Sequence, residues 1–136
     1  MTEVVRLLFQ KIIIVLAVLL VGCSIALATV PQNISATQAR EMIENDPQLY
    51  LLDVRTFQEY SEIRLEGATL IPIDQLLRRI AELPKDRPML VYCAVGSRST
   101  QVVNYLAKIG YGPIYNLNGG IWAWQLRKYP VLKGGP

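Results

Sequence analysis

The sequence Leu90-Val91-Tyr92-Cys93-Ala94-Val95-Gly96-Ser97-Arg98-Ser99 joins an apolar segment to the start of a helix. The pattern predicts a buried strand that ends on Cys93, then a short turn, then a helix that begins near Ser99. A strand-to-helix turn directs backbone N–H groups inward, and the helix start adds positive dipole at the same place. Amide donors and the nearby Arg98 guanidinium favour a thiolate. We therefore interpret Cys93 as a reactive nucleophile rather than a buried structural thiol.

The turn between Cys93 and Arg98 has the size and composition of a cup for a small anion. Gly96 allows a tight turn, and the small side chains at positions 94 and 97 leave its interior open. We predict that inward-facing N–H groups bind the anion, and that the Arg98 side chain favours the thiolate and holds the anion. The alternative for Arg98 is an arginine at a helix start that faces solvent. The residues assigned to this loop are Ala94, Val95, Gly96, Ser97 and Arg98.

Apolar runs and helical patterns alternate on both sides of this loop. Residues 49–54 and 89–92 are continuous apolar runs, which are typical of strands buried on both faces of a parallel sheet. Short strands are also predicted at 69–72 and 114–117, and helices are predicted to begin at Ser35 (with Gln38 completing a capping box), Thr56, Asp74, near Ser99 and after Gly120. The alternation predicts an α/β domain with a central parallel sheet, helices on both faces and a ligand site beyond the carboxyl ends of the strands.

The first 28 residues differ in composition from the rest. Arg6 and Lys11 precede an uncharged run whose first part, residues 12–21, is almost purely aliphatic, and this order indicates an export signal. Three outcomes stay open: acylation of Cys23 in a lipobox at 20–23, cleavage after the small residues of 26–28, or an uncut helix over 12–30 that spans a bilayer. All three place the folded domain on the extracytoplasmic face of the membrane or in the periplasm, because positive charge stays in the cytoplasm. We favour a retained membrane anchor.

The chain is therefore divided into four parts. Residues 1–28 are interpreted as a signal peptide, lipoprotein signal or membrane anchor, and residues 29–34 as a linker. Residues 35–130 are interpreted as the folded domain, and residues 131–136 as a C-terminal tail. A body of a little over 100 residues suits one domain with one core.

The amino-acid composition excludes several kinds of chemistry. The chain has no histidine, which rules out Cys-His and Ser-His-Asp catalysis and histidine-ligated metals. Beyond residue 28, Cys93 is the only cysteine, so that region has no internal disulfide and no zinc pattern of several cysteines and histidines. Residues 1–28 hold two of the 14 basic and one of the 11 acidic residues, so the rest has 12 and 10, a net charge of +2. This small charge indicates no nucleic-acid partner, and we expect no metal and no cofactor.

Three segments resemble signatures of the single-domain rhodanese (thiosulfate sulfurtransferase) family. Residues 52–55 (Leu-Asp-Val-Arg) with Glu59-Tyr60 are similar to its first signature, residues 93–99 to its active-site loop, and residues 116–124 to its closing signature. In this order and spacing they cover roughly residues 35–130. The chain departs from the family at 63–68, where Ile-Arg-Leu-Glu-Gly-Ala stands in place of a frequent Gly-His-Ile-Pro-Gly-Ala.

The resemblance implies a rhodanese-like α/β fold, with a parallel sheet of about five short strands between helices, and sulfurtransferase activity. The Cys93 thiolate would take the outer sulfur of a donor such as thiosulfate and hold it as a persulfide within the N–H groups of residues 94–98. A thiophilic acceptor, such as cyanide, a thiol or an acceptor protein, would then remove it. This is covalent catalysis in two steps, stabilised by preorganised amides, without a cofactor or metal.

Three further residues have open roles. Arg55 follows the end of an adjacent strand, so it is a candidate for lining the mouth of the same site. The alternative is a structural ion pair of Arg55 with Glu59, four residues later, or with Asp53. Asp53 is interpreted as structural, and Ser99 as a helix N-cap rather than a proton donor.

Two other functions compete with sulfur transfer. Cysteine-dependent phosphatases of the dual-specificity cell-cycle type resemble rhodaneses in fold, but their loop has one residue more between cysteine and arginine. Here Cys93 and Arg98 enclose four residues, which suits a sulfur donor rather than a tetrahedral phosphate. The second alternative is a non-catalytic or sensing module that docks a partner, and the presence of Cys93 argues against it.

Overall fold

The computed structural model describes residues 2–21 and 29–135. The helices in this part of the chain are α1 (Thr2–Val21), α2 (Ala36–Asn45), α3 (Phe57–Glu62), α4 (Leu76–Arg79), α5 (Ser97–Lys108) and α6 (Gly120–Leu126). A 3-10 turn at Ile80–Glu82 extends α4. The strands are β1 (Gln32–Ile34), β2 (Tyr50–Asp53), β3 (Ile63–Arg64), β4 (Thr69–Leu70), β5 (Met89–Tyr92), β6 (Ile114–Leu117) and β7 (Leu132–Lys133).

Five strands form one parallel sheet in the order β1-β6-β5-β2-β4. The strand that leads to Cys93, β5, is the middle one, with β2 and β6 as its neighbours. All carboxyl ends therefore meet at one edge of the sheet, which is where a ligand site is expected in this architecture. The predicted parallel sheet of about five strands between helices is confirmed.

Both faces of the sheet are packed, which explains the apolar runs without alternation. On one face, Leu52 and Val91 contact α4 and α5 residues such as Val102. On the other face, Leu90 and Tyr92, which are two residues apart in β5, pack with α2 and with Trp124 of α6. Successive side chains of a strand point to opposite faces, and for this reason the central strand β5 is apolar and buried at every position.

Local sequence signals account for two of the helix starts. Ser35 caps α2 and Thr56 caps α3, and each forms a reciprocal capping box, with Gln38 and Glu59 respectively. The predicted cap at Asp74 is wrong. Residues 73–75 form a turn first, in which the Gln75 N–H binds the Pro72 carbonyl, and α4 begins at Leu76 without a side-chain cap.

The expected linker and tail both contain strands. Residues 32–34, within the predicted linker, form β1 and pair in parallel with β6 at the edge of the sheet. Residues 132–133, within the predicted tail, form β7 and pair antiparallel with β3. The ordered body therefore extends further in both directions than 35–130. The three residues of β1 and the two of β7 carry too little periodicity for these strands to be found from sequence.

The described part of the N-terminal segment is helix α1. Cys23 and the small residues at 26–28 lie outside the described residues. Within residues 2–21 and 29–135, no helix combines the length and the apolar character needed to cross a membrane.

Candidate active site

Cys93 lies directly after β5, at the carboxyl edge of the sheet, and has no exposed surface. Helix α5 begins at Ser97, two residues earlier than predicted, and its N-cap is Gly96 with φ +100°. The sulfur is thus enclosed by a turn of only three residues, 94–96, and by the first turn of α5. A cysteine so placed meets the free N–H groups of a helix start.

Several hydrogen-bond donors converge on the sulfur. The Gly96 N–H donates to Cys93 Sγ at 3.1 Å, and the Ser99 hydroxyl oxygen lies 3.4 Å from the same atom. Burial by itself raises the pKa of the Cys93 thiol. The hydrogen bonds from Ser99 (side chain and N–H) and from the N–H groups of Gly96 and Val95 outweigh burial, so the pKa lies below its ordinary value. The site therefore favours the nucleophilic thiolate.

The role predicted for Ser99 needs correction. Ser99 is buried inside the first turn of α5, and Gly96 rather than Ser99 is the N-cap. The Ser99 hydroxyl lies within hydrogen-bonding distance of both Cys93 Sγ and the Gly96 carbonyl oxygen, the latter at 3.1 Å. It is a sulfur contact that the sequence interpretation missed, because helix α5 starts earlier than its pattern indicates.

The start of α6 holds the Cys93 loop from the other side. The Ile121 N–H donates to the Cys93 carbonyl at 2.9 Å, and the Trp122 N–H donates to the Ala94 carbonyl at 3.0 Å. In a trans peptide the N–H points opposite to the preceding C=O. Holding the Ala94 carbonyl toward α6 therefore turns the Val95 N–H away from α6, which is consistent with the contribution of that N–H to the lowered pKa of the Cys93 thiol.

This packing requires glycine at position 120. Gly120 has φ +59°, and a Cβ there would lie 2.4 Å from the Cys93 carbonyl oxygen. The sequence pattern predicts only that a helix begins after Gly120 and assigns this glycine no contact with Cys93. The adjacent glycines before a short helix were the available signal of a close backbone approach.

The positive charge of the Arg98 side chain is paired with the carboxylate of Glu59. Its guanidinium donates to both carboxylate oxygens of Glu59, at 2.9 and 2.7 Å, and so joins α5 to α3. The hydrogen bond from Arg98 lowers the pKa of Glu59 to about 2, helped by the Thr56 N–H. In the structure Arg98 is therefore a partly buried, ion-paired residue rather than a solvent-facing arginine, and its role in holding an anion stays a prediction.

Arg55 forms the Asp53 pair that was one of its alternatives, not the Glu59 pair. Arg55 Nη2 lies 2.6 Å from Asp53 Oδ2, and the same nitrogen donates to the Ile63 carbonyl at 2.7 Å. Both side chains are almost fully buried, and the guanidinium lies over the Tyr92 ring. Arg55 nevertheless contributes to the wall of the pocket beside the active-site loop.

A shallow pocket of about 170 Å³ opens beside residues 94 and 95 of the loop. Two apolar side chains stand out at its rim, since Val95 is 60% exposed and Trp122 is 62% exposed. Of the two tryptophans of α6, Trp124 is buried in the core, whereas Trp122 faces solvent. The pocket is lined by Arg55, Glu59, Glu62, Ile63, Ala94, Val95, Ile121, Trp122 and Gln125.

Two further loop residues, Ala94 and Ser97, lie at or near the surface. Ser97 is the exposed first residue of α5, and Ala94 is half-buried at the pocket. In the described ranges, no three His, Cys, Asp or Glu side chains gather closely enough to hold a metal ion. The chemistry available here is that of a thiolate surrounded by amide and hydroxyl donors.

Fold and site together define an α/β domain with a buried cysteine, whose sulfur is held among hydrogen-bond donors at the carboxyl end of the central strand. The family profile described as "Rhodanese-like domain" matches residues 35–127. The chain belongs to the rhodanese-like domain family.

Named relatives agree with this assignment. A protein named "Sulfurtransferase" from Allochromatium vinosum is 33% identical over 100 residues, covering 74% of this chain and 94% of the relative. The protein named "Thiosulfate sulfurtransferase GlpE" from Tolumonas auensis is 33% identical, over 68% of this chain and 87% of its own. A solved rhodanese-related protein from Thermoplasma volcanium superposes with a TM-score of 0.69 at 32% identity, covering 74% of this chain and 97% of its own. These likenesses support sulfur transfer as the general activity.

Proposed function

We propose that this protein transfers sulfane sulfur through a persulfide on Cys93. The thiolate attacks the outer sulfur of a donor such as thiosulfate, and a new S–S bond forms at Cys93. The S–S bond of the donor breaks with its electron pair, and sulfite leaves. A thiophilic acceptor then attacks the outer sulfur of the persulfide and regenerates the Cys93 thiolate; with cyanide the product is thiocyanate. No net oxidation takes place in either step.

One observation carries the proposal: the donors converge on a single buried sulfur. The Gly96 N–H and the Ser99 hydroxyl are already in place around Sγ. Because these dipoles are fixed before reaction, they stabilise the thiolate without reorganisation, as in an oxyanion hole. The same donors would stabilise the negative charge of a Cys93 persulfide.

Intact mass spectrometry after exposure to thiosulfate tests this proposal. The wild type is expected to gain one sulfur atom, and to lose it on addition of cyanide with release of thiocyanate. The matched variant Cys93→Ser is expected to gain nothing. A wild type that gains no sulfur from any sulfane donor would favour a docking or sensing module. Cys93-dependent hydrolysis of an aryl phosphate without sulfur transfer would favour a phosphatase.

We also propose that the domain works on the extracytoplasmic side of a membrane. The support is the order of Arg6 and Lys11 before the aliphatic residues 12–21. Cell fractionation of the full chain, with mass analysis of its N-terminal fragment, tests this. Recovery of the uncut, unmodified chain in the cytoplasmic fraction would contradict it. A lipid on Cys23, a cut after residue 28 or membrane retention of the uncut chain would each support it.

A further inference from the structure

Three hydrogen-bond donors compete for the carbonyl oxygen of Gly96 in the active-site loop. The Thr100 N–H donates to this oxygen at 3.0 Å, and the Thr100 hydroxyl lies 2.7 Å from it. The Ser99 hydroxyl lies 3.1 Å from the same oxygen and 3.4 Å from Cys93 Sγ. A carbonyl oxygen has two lone pairs. Because both donors of Thr100 lie closer than Ser99, they use these lone pairs, and the Ser99 O–H is left to donate to the sulfur.

A buried asparagine on the neighbouring strand determines which way the Thr100 hydroxyl points. Asn116 lies on β6, which pairs with β5, and is only 2% exposed. Its Nδ2 donates to Thr100 Oγ1 at 3.0 Å and to Asn33 Oδ1 at 2.7 Å. A hydroxyl group has one proton, so a Thr100 oxygen that accepts from Asn116 keeps its own proton for the Gly96 carbonyl. Asparagine is depleted in strands and in protein interiors, and the reaction steps proposed above do not use Asn116.

We propose that Asn116 and Thr100 are positioning residues that direct the Ser99 O–H toward the sulfur of Cys93 as a hydrogen-bond donor. This inference rests on the proposed function, since it concerns the thiolate that begins the reaction. The Asn116 amide donates to the Thr100 hydroxyl, and the Thr100 hydroxyl donates to the Gly96 carbonyl. That carbonyl is then fully occupied. Asn116 and Thr100 thus act on the sulfur through Ser99 and not through hydrogen bonds of their own.

The pH dependence of Cys93 alkylation by iodoacetamide, measured in Thr100 variants, tests the proposal. Thr100→Val keeps the shape of the side chain but removes its hydroxyl, so a lone pair of the Gly96 carbonyl becomes available to Ser99. The midpoint is expected to rise by about half a pH unit, which lowers the rate about threefold at pH values below the midpoint. Thr100→Ser retains the hydroxyl and should keep the wild-type midpoint. Equal midpoints of wild type and Thr100→Val would overturn the proposal.

A double variant separates an effect through Ser99 from a general disturbance of the loop. In Ser99→Ala no hydroxyl remains to be diverted from the sulfur. Adding Thr100→Val should therefore leave the midpoint of Ser99→Ala where it is, since the two residues act in one hydrogen-bond network. Shifts that add would show that Thr100 acts on the sulfur by another route, and the proposal would be wrong. A Ser99→Ala protein with the wild-type midpoint would also overturn it.

Asn116→Leu tests the other end of this series of hydrogen bonds. Without the Asn116 N–H, the Thr100 hydroxyl is free to turn away from Gly96, so the midpoint should rise by up to the shift seen in Thr100→Val. Asn118→Leu is the matched control, because it makes the same substitution at an exposed position directly after β6. Equal midpoints in the two leucine variants would contradict the role of Asn116. If far-UV circular dichroism shows that Asn116→Leu does not fold, the Thr100 variants decide the proposal.

The variants preserve every charge around the loop, so a change of midpoint reports on hydrogen bonds. The charged groups that the surrounding elements contribute are Arg98 on α5, Glu59 and Glu62 on α3, and the buried Asp53–Arg55 pair that follows β2.

The proposed function and this inference fail in different ways. Alkylation needs no sulfur donor, so the midpoints test Asn116 and Thr100 even if Cys93 takes up no sulfur, and in that case only the proposed function is wrong. If wild-type Cys93 forms a persulfide but the midpoints do not move, the proposed function stands and the inference about Asn116 and Thr100 is wrong.

Discussion

Gly120 lies against the carbonyl group of Cys93 so closely that a Cβ at position 120 would sit 2.4 Å from that oxygen. The neighbouring N–H groups of Ile121 and Trp122 donate to the carbonyls of Cys93 and Ala94. The start of α6 therefore fixes the peptide planes of the active-site loop. The donors that lower the pKa of the thiol depend on a segment some 25 residues further along the chain.

Gly120→Ala is expected to displace the loop and lower kcat/KM for sulfur transfer about a hundredfold, the effect of losing a preorganised donor. The pKa of Cys93 should rise, because the Val95 N–H no longer points at the sulfur. The pH dependence of alkylation by iodoacetamide measures this change. Gly67→Ala is the matched control, since Gly67 also has a positive φ, +76°, but no atom within 4 Å of a Cβ. A normal pH profile in Gly120→Ala would contradict the role given to α6.

Ser99→Ala removes a buried hydroxyl 3.4 Å from Cys93 Sγ. Because that hydrogen bond favours the thiolate, its loss should raise the pKa of Cys93 and slow persulfidation at neutral pH about fivefold. The rate should recover at high pH, where the thiol ionises without help. An unchanged pH midpoint of alkylation would show that the Ser99 hydroxyl donates only to the Gly96 carbonyl.

The Glu59–Arg98 pair should make stability depend on pH. The pKa of Glu59 is about 2 in the folded protein and near 4.5 in the unfolded chain. Its contribution is fully present above pH 4.5 and is lost as the pH falls toward 2. Since the pair is partly exposed, we expect wild type to exceed Glu59→Gln by about 1 kcal/mol at pH 7, and by almost nothing at pH 2.

Urea unfolding at both pH values measures that difference. Glu82→Gln breaks the more exposed pair with Arg79 on the surface and serves as the control, for which little change is expected. A Glu59→Gln protein whose deficit persists at pH 2 would show that the loss comes from packing rather than from charge.

Asp53→Asn should destabilise the fold by about 3 kcal/mol, because it leaves the buried Arg55 charge without its counterion. Chemical denaturation at neutral pH measures the loss. Asp86→Asn changes an exposed aspartate and should stay within about 0.5 kcal/mol of wild type. A small effect of Asp53→Asn would mean that the Ile63 carbonyl alone is enough to hold the guanidinium.

Sequence reasoning succeeded where the signal is local. The runs at β2 and β5 follow from burial on both faces, and the caps at Ser35 and Thr56 follow from contacts within four residues. These features need no knowledge of distant segments. The position of Cys93 at a strand end could be predicted for the same reason.

The side-chain partners of the site residues could not be predicted, because they lie far away in the sequence. Arg98 pairs with Glu59, which lies 39 residues earlier in the chain. Neither segment by itself predicts this ion pair. Strands β1 and β7 are stabilised by pairing with β6 and β3, so their few residues carry no pattern of their own. The ion-pair partner of an arginine and the pairing of a short strand are therefore decided only when distant segments come together in the folded chain.

The trans-peptide geometry between the loop and α6 has a consequence for protein engineering. Transplanting residues 93–98 into another α/β scaffold would supply the thiol but leave its amides free to rotate away. A functional graft would have to include residues 119–122 as a second, separately inserted fragment, with Gly120 kept as glycine and its backbone seated against Cys93.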